Sequence, residues 1–121
     1  MPEKQLPHHH YHSEDAAKLS ERLEHTQDFE VVSEIFKQLS DTSRIRIFWL
    51  LCHYEECVIN ISVLVEMSSP AVSHHLKQLK SSGLIVSRRE GKEVYYKAAD
   101  TEAAQLLHLT IEKMMDISCP Q

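Results

Sequence analysis

The spacing of apolar residues predicts helices in the first half of the chain. Apolar positions recur every three or four residues across 28–39, and again after Asp41, which can cap a helix reaching Cys52. This is the period of an α-helix with one buried face. A shorter segment, 13–24, starts with acidic residues, which suit the first turn of a helix. On the third helix, Ile45, Phe48, Trp49 and Cys52 lie on one side, and the dense apolar run IFWLL predicts burial on most sides.

The middle of the chain carries the signals of two short helices joined by a tight turn. Asn60 can cap a helix that runs to Met67. Ser69 is a favourable N-cap for the next helix, with Pro70 at its first position, and Gly83 can end that helix in the left-handed conformation. The inward residues of this second helix are expected to be Val72, Leu76 and Leu79.

After this helix pair the pattern changes to short strands. Two β-prone runs, 84–87 and 93–97, flank a turn at 90–92, which predicts a hairpin. The stretch 53–57, ahead of the helix pair, is expected to be a polar connector.

A final helix is expected to open near Asp100 and Thr101. One apolar stripe of this helix consists of Ala103, Leu107, Ile111 and Met114. A second apolar surface consists of Leu106, Leu109 and Met115. So wide an apolar surface predicts packing on the chain's own core and on a second subunit.

The order of these elements predicts a mainly α fold with a small β-hairpin, which is a winged helix-turn-helix. We expect a homodimer that forms through the N- and C-terminal helices. The predicted domain division is a His-rich flexible arm at 1–12, the winged helix-turn-helix domain with its dimerisation helices at 13–118, and a C-terminal tail at 119–121.

Length and composition agree with a single helical domain. The chain has 121 residues, 42% of them hydrophobic, and only two Gly and four Pro. No apolar run is long enough to span a bilayer, and the N-terminus does not read as a secretory signal. Three Cys give no self-contained disulfide framework. We therefore expect a cytoplasmic protein with no membrane partner.

The distribution of charge along the chain says more about possible binding partners than the net charge does. The formal net charge is −5, yet residues 70–97 hold six basic and two acidic residues between acidic flanks. One basic face of this kind suits docking on phosphates. The alternative is a solvated basic face on an interaction module that does not bind DNA. An enzyme is not expected, since no phosphate loop or identifiable catalytic pair is present.

The predicted helix at 69–80 can read a DNA major groove. Ser73 and His74 can reach base edges, and Lys77 and Lys80 suit the phosphate backbone, as does Ser68. Cations of the hairpin can lie along the adjacent backbone or in a minor groove. The full candidate set is Ser68, Ser69, Ser73, His74, His75, Lys77, Gln78, Lys80, Arg88, Arg89 and Lys92.

The segment 68–96, SSPAVSHHLKQLKSSGLIVSRREGKEVYY, resembles the recognition helix and wing of the ArsR/SmtB family of bacterial metal-responsive repressors. The upstream LSDTSRIRIFWLL (39–51) and ECV (56–58) resemble further parts of that family, and the likeness covers about 28–117. It implies a homodimeric winged-helix repressor that binds an imperfect inverted repeat in double-stranded operator DNA. It also implies that the repressor leaves the DNA when an inducer binds.

The resemblance implies a metal site that joins Cys57 to the N-terminal arm. The arm offers His8, His9, His10 and His12, and a thiolate with several imidazoles suits Zn(II) or another soft or borderline divalent metal such as Cd(II). Ile59 stands where the family often has Cys or Asp. Two alternatives stay open, namely that the arm has no ligand role and that Cys57 is a small buried residue.

A second family site on the last helix implies weaker candidates. The matching positions are Asp100, Glu102, Lys113 and Asp116, among which Lys113 is a poor ligand. His108 falls outside this pattern and is expected to be a packed or exposed histidine rather than a ligand.

Thiol-based sensing of oxidants or reactive sulfur is the alternative signal. Cys52 and Cys119 are the remaining thiols. However, Trp49 and Met115 stand where thiol-sensing relatives are expected to carry their cysteines. We expect Cys52 to fill core space.

Overall fold

The computed structural model describes residues 6–8 and 16–118. The elements of that part are α1 (Ala16–Leu23), α2 (Thr26–Gln38), α3 (Thr42–His53), β1 (Glu56–Cys57), α4 (Val58–Val65), α5 (Ser69–Ser81), β2 (Ile85–Glu90), β3 (Glu93–Ala98) and α6 (Glu102–Ser118). The chain divides into two compact units, Met1–Glu34 and Ile35–Gln121.

The first unit contains α1 and most of α2. Its apolar side chains keep the helical spacing that the sequence predicts, yet α1 buries none of its residues. Leu19, Leu23, Phe29 and Val32 are all exposed. These helices therefore leave an apolar surface uncovered within the single chain.

The core of the second unit is built around α3. Asp41 caps this helix as predicted, because its carboxylate accepts a hydrogen bond from the Arg44 amide at 3.0 Å. Phe48 is fully buried, but its buried neighbours are Ile47 and Leu51, while Trp49 is exposed. The predicted burial on most sides is thus confirmed at Ile47, Phe48 and Leu51, and it was wrong for Trp49.

Two predicted helix starts were wrong. The fourth helix begins at Val58 with Cys57 at its N-cap position, and Asn60 lies inside it, where its amide donates to Glu56 at 2.8 Å. For α5, Ser68 is the N-cap and accepts from the Ala71 amide at 3.3 Å, so Ser69 opens the helix. In each case the N-cap residue precedes the polar residue that was predicted to cap the helix. The N-cap is the residue whose backbone is extended, and the conformation of the preceding turn decides which residue that is.

The buried face of α5 and its end are confirmed. Val72, Leu76 and Leu79 are buried in the core. Gly83 adopts a left-handed φ of 79°, and its amide bonds to the Lys80 carbonyl at 3.0 Å. The next amide, of Leu84, bonds to the Leu79 carbonyl at 3.1 Å, which completes a Schellman ending.

The predicted hairpin is present but belongs to a three-stranded antiparallel sheet of order β1-β3-β2. The extra strand β1 pairs through Glu56 with Tyr96 and through Cys57 with Tyr95. The polar-connector prediction was therefore wrong for these two residues, which are too few to leave a periodic signal. The fold is the predicted winged helix-turn-helix, with β2, β3 and their turn as the wing.

The last helix buries only part of its apolar surface. Ala104 is buried, whereas the predicted Ala103 is exposed. Leu107 and Ile111 pack against the core from a half-buried position. Among residues 102–116, the large apolar residues left exposed are Leu106, Leu109, Met114 and Met115. In the part of the chain that the structure describes, no helix is long and apolar enough to cross a membrane.

Candidate DNA-binding surface and metal ligands

The outward face of α5 carries short polar and basic side chains. Burial of Val72, Leu76 and Leu79 fixes the rotation of the helix, so Ser73, His74 and Lys77 are exposed on the opposite side. Ser69 and Gln78 are half-buried at its margins. The helix therefore presents hydrogen-bonding groups and a cation together, as a recognition helix requires.

His75 differs from its neighbour His74. It is half-buried, and its Nδ1 is buried without a hydrogen-bond partner among the described residues. Desolvation lowers the pKa of its imidazole, while the nearby Asp41 charge opposes this shift. Its predicted role in DNA binding stays a prediction, and it faces the protein more than His74 does.

The basic residues of the wing have different environments. Arg88 donates to both oxygens of Glu55 at 2.6 and 3.0 Å and to Glu90 at 2.6 Å, and it lies 4.9 Å from the Tyr95 ring centre. Its charge is thus balanced within the free chain. Arg89 and Lys92 are exposed.

Lys80 links the recognition helix to the wing. Its ammonium donates to the Ser87 hydroxyl of β2 at 2.7 Å. This contact leaves further N–H donors of Lys80 for a phosphate, because an ammonium has three.

The predicted site at Cys57 lies only in part within the described residues. Cys57 is half-buried at the start of α4, and His8 is exposed. His9, His10 and His12 lie outside the described residues. Within 6–8 and 16–118, no cluster of three metal-ligating side chains includes Cys57. This site stays a prediction.

The weaker set on the last helix is exposed. The Asp100 carboxylate accepts from the Gln105 amide at 2.8 Å, Glu102 opens α6, and Asp116 lies near its end. These carboxylates enter no three-ligand cluster among the residues described.

The structure also brings together three side chains of types that can ligate a metal, which we call the His–His–Glu cluster (His53, His108 and Glu112). Desolvation raises the pKa of the Glu112 carboxyl, but hydrogen bonds and charge from His108 and His53 outweigh it, so the pKa lies below its usual value. The four-residue spacing of His108 and Glu112 was a usable signal. The contribution of His53 could not be predicted from the sequence, because it lies 55 positions before His108.

The described residues give thiol sensing little support. Burial, followed by the charge of Glu112, raises the pKa of the Cys52 thiol to about 11. Cys52 is therefore a poor nucleophile at neutral pH. Trp49 and Met115, which stand where thiols were expected, line the same apolar pocket. Cys119 lies outside the described residues.

Comparisons of the sequence point to one family. The family model described as "Bacterial regulatory protein, arsR family" matches residues 41–87. A "Cadmium resistance transcriptional regulatory protein CadC homolog" of Staphylococcus aureus is 40% identical over 63% of this chain and 64% of its own length, slightly under two thirds. A "Transcriptional repressor SmtB homolog" of Synechocystis sp. is 33% identical over 78% of this chain and 72% of its own.

Solved structures share the fold. The homodimeric winged helix-turn-helix DNA-binding domain of a possible ArsR-family regulator from Mycobacterium bovis has a TM-score of 0.66 at 30% identity, over 87% of this chain and 88% of that one. The transcriptional repressor BigR from Xylella fastidiosa has a TM-score of 0.68 at 24% identity, over 83% and 98%. At that identity the second likeness concerns the fold alone.

Proposed function

This chain belongs to the ArsR family of bacterial regulatory proteins, and we propose that it is a dimeric repressor whose release from operator DNA is triggered by a metal ion. Membership confirms the resemblance carried by the segment 68–96. The chain is a DNA-binding transcriptional regulator rather than an enzyme. The dimer, the operator contacts and the metal are the parts that we propose.

The exposed face of the recognition helix α5 carries the proposal. Ser73 and His74 can bond to base edges, which give specificity, and Lys77 can bond to phosphate, which gives affinity. Arg89 and Lys92 of the wing add exposed cations beside it. Arg88 would first have to exchange its Glu55 and Glu90 partners for phosphate.

Exposed apolar side chains support the dimer. Phe29 and Val32 of α2 are uncovered, as are Leu106 and Leu109 of α6. A second copy related by two-fold symmetry would cover such surfaces and place two recognition helices toward successive major grooves. An inverted-repeat operator has the same symmetry.

The proposed inducer is Zn(II), Cd(II) or a similar ion. Relatives named for cadmium resistance support this class of signal. The donors of this chain also fit it, since Cys57 offers a thiolate and the histidines offer imidazoles, which soft or borderline ions prefer. A metal ion can release DNA only by its difference in affinity for the two forms of the dimer, typically about 1–3 kcal/mol.

The direct test is the double substitution Ser73→Ala/His74→Ala. An operator fragment is first selected from random DNA with the wild-type protein, and affinities are then measured by gel shift. Loss of recognition at one base pair typically costs about 1–3 kcal/mol, so we expect operator affinity to fall at least tenfold while nonspecific binding changes little.

Lys77→Ala is the matched control on the same helix face. As a phosphate contact, it should weaken operator and nonspecific binding alike and reduce the salt dependence. Equal losses on both DNAs in the Ser73/His74 variant would reject base reading by these residues. No DNA binding by the wild type would favour the interaction module.

A further inference from the structure

The second unit holds metal-ligating side chains that the DNA-binding surface does not use. His53 is the last residue of α3, and His108 and Glu112 lie four residues apart on α6. Residues at this spacing share one helix face. Because α3 packs against α6, that face brings both side chains to His53. Two helices of one chain therefore assemble the His–His–Glu cluster.

Two of the three spacings between the ligand atoms suit one bound ion. His53 Nε2 lies 3.1 Å from Glu112 Oε1 and 3.2 Å from His108 Nε2, and His108 Nε2 contacts the same carboxylate oxygen. Two ligands of a tetrahedral zinc ion, each about 2.0–2.1 Å from the metal, lie about 3.3 Å apart. We propose that His53, His108 and Glu112 bind one divalent metal ion of the Zn(II) type within a single subunit.

The hydrogen bonds alone satisfy this cluster poorly. If both imidazoles donate their Nε2 protons to the one carboxylate oxygen, the two nitrogens approach to 3.2 Å as two donors with no bond between them. A metal ion replaces both protons, because imidazole ligates through its lone pair. The same three atoms then share one positive partner.

The surroundings leave room for an ion and its remaining ligand. All three side chains are partly exposed, so an ion can reach them from solvent. An open cleft of about 350 Å³ is lined by His53 and His108, with space for a water ligand. The Trp49 ring lies 4.6 Å from the His53 ring between centroids, which restricts how that imidazole can turn. Three protein ligands with one open position is a known arrangement for zinc.

Occupancy of this site can affect DNA binding if the proposed function holds. The metal would fasten the C-terminal end of α3 to the middle of α6. Since α3 packs against both α5 and α6, this link connects the recognition helix with the apolar face proposed for the dimer. The spacing of the two recognition helices in the dimer is then the quantity that the metal changes.

Co(II) titration of the full-length metal-free protein tests the site, with visible absorption and calorimetry as readouts. We expect one ion per subunit at this site. Its affinity should fall at least tenfold in His53→Ala and in His108→Ala. Glu112→Gln keeps the size of the side chain and loses its charge, so it should also weaken binding.

Two controls separate this site from other ligands. His25→Ala removes an exposed histidine between α1 and α2, and Cys57→Ser removes the thiol of the predicted arm site. Both should leave the His–His–Glu binding class unchanged. Unaltered Co(II) affinity and stoichiometry in all three cluster variants would overturn the proposal and leave a hydrogen-bonded triad only.

Gel shifts with and without Zn(II) keep this proposal separate from the proposed function. If wild-type protein binds no operator while the cluster variants lose Co(II), the metal site stands and the repressor proposal fails. If Zn(II) releases the wild type from operator but does not release His108→Ala, both stand. Release of that variant at the same Zn(II) concentration would overturn the regulatory role of the cluster.

Discussion

Helices α5 and α6 are both amphipathic, yet only α5 buries its apolar face within the chain. The inward residues Val72 and Leu79 of α5 are fully buried in their own chain, at 0% exposure. On α6, Leu106 and Leu109 remain 63% and 54% exposed. The inward residues of α5 are therefore covered by their own subunit, whereas part of the apolar surface of α6 is not.

This difference indicates the kind of partner that each helix meets. The uncovered side of α5 is polar and basic, which suits a nucleic acid, whose phosphates are charged and whose base edges form hydrogen bonds. The uncovered side of α6 is apolar, and covering the exposed half of one such leucine side chain contributes about 1 kcal/mol to an assembly. We therefore expect α6 to pack against protein, with a second copy as the proposed partner.

The largest expected effect comes from a charge on the apolar side of α6. In Leu109→Glu, a carboxylate would be buried at the proposed dimer interface without a partner, which is strongly unfavourable. We expect dimer dissociation to become at least tenfold easier, about 1.4 kcal/mol, as measured by sedimentation equilibrium. Operator affinity at fixed protein concentration should fall with it.

Val63→Glu is the matched control for this charge. Val63 is an exposed apolar residue of α4, outside the proposed interface. Its variant should keep the dissociation constant of the wild type. A Leu109→Glu protein that stays as dimeric as the control would show that α6 is not the dimer interface.

A smaller effect is expected at the start of α5. Removing the N-cap hydroxyl in Ser68→Ala leaves the Ala71 amide without its acceptor and should lower the free energy of unfolding by about 1 kcal/mol. The neighbouring Ser69→Ala, inside the helix, should change stability by less than about 0.5 kcal/mol. Urea denaturation of the free protein measures both, and the reverse order would restore Ser69 as the cap.

The question of whether Ser68 or Ser69 caps α5 shows which features of a helix can be predicted from the sequence. The periodic residues Val72, Leu76 and Leu79 give the face of α5, and Gly83 gives its end, because both signals are local. Which of two adjacent serines is extended depends on where the chain leaves α4. The helix was therefore predictable and its first residue was not.

The parts of the site that escaped prediction depend on contacts between distant residues. His53 meets His108 only because α3 and α6 pack together, and Arg88 meets Glu55 across 33 positions. Neither pair has a spacing that a single element would impose. The exposed face of α5 was accessible to sequence reasoning because one helix supplies all of it.

The smallest expected effect lies at Asp41, which caps α3, the helix that packs against both α5 and α6. The backbone hydrogen bond from Arg44 lowers the pKa of this carboxyl; desolvation opposes the shift, and the Arg44 charge adds to it. The unfolded chain then binds this proton more readily than the folded protein. The charge therefore stabilises the fold above the unfolded pKa of about 3.9, and this contribution is lost as the pH falls through the lower folded value.

Asp41→Asn separates the charge from the hydrogen bond, because the amide oxygen can still accept from the Arg44 amide. At pH 7 we expect the variant to be less stable by about 0.5 kcal/mol, the usual worth of an anion at a helix N-terminus. The deficit should shrink in urea titrations as the pH approaches 3, because the carboxyl of the unfolded wild-type chain then binds a proton and the folded protein gains less from the charge. Asp41→Ala, which loses the acceptor, should stay destabilised at both pH values. A deficit of Asp41→Asn that is the same at pH 7 and pH 3 would mean that the cap acts through its oxygen alone, and that the charge at this shared helix contributes nothing.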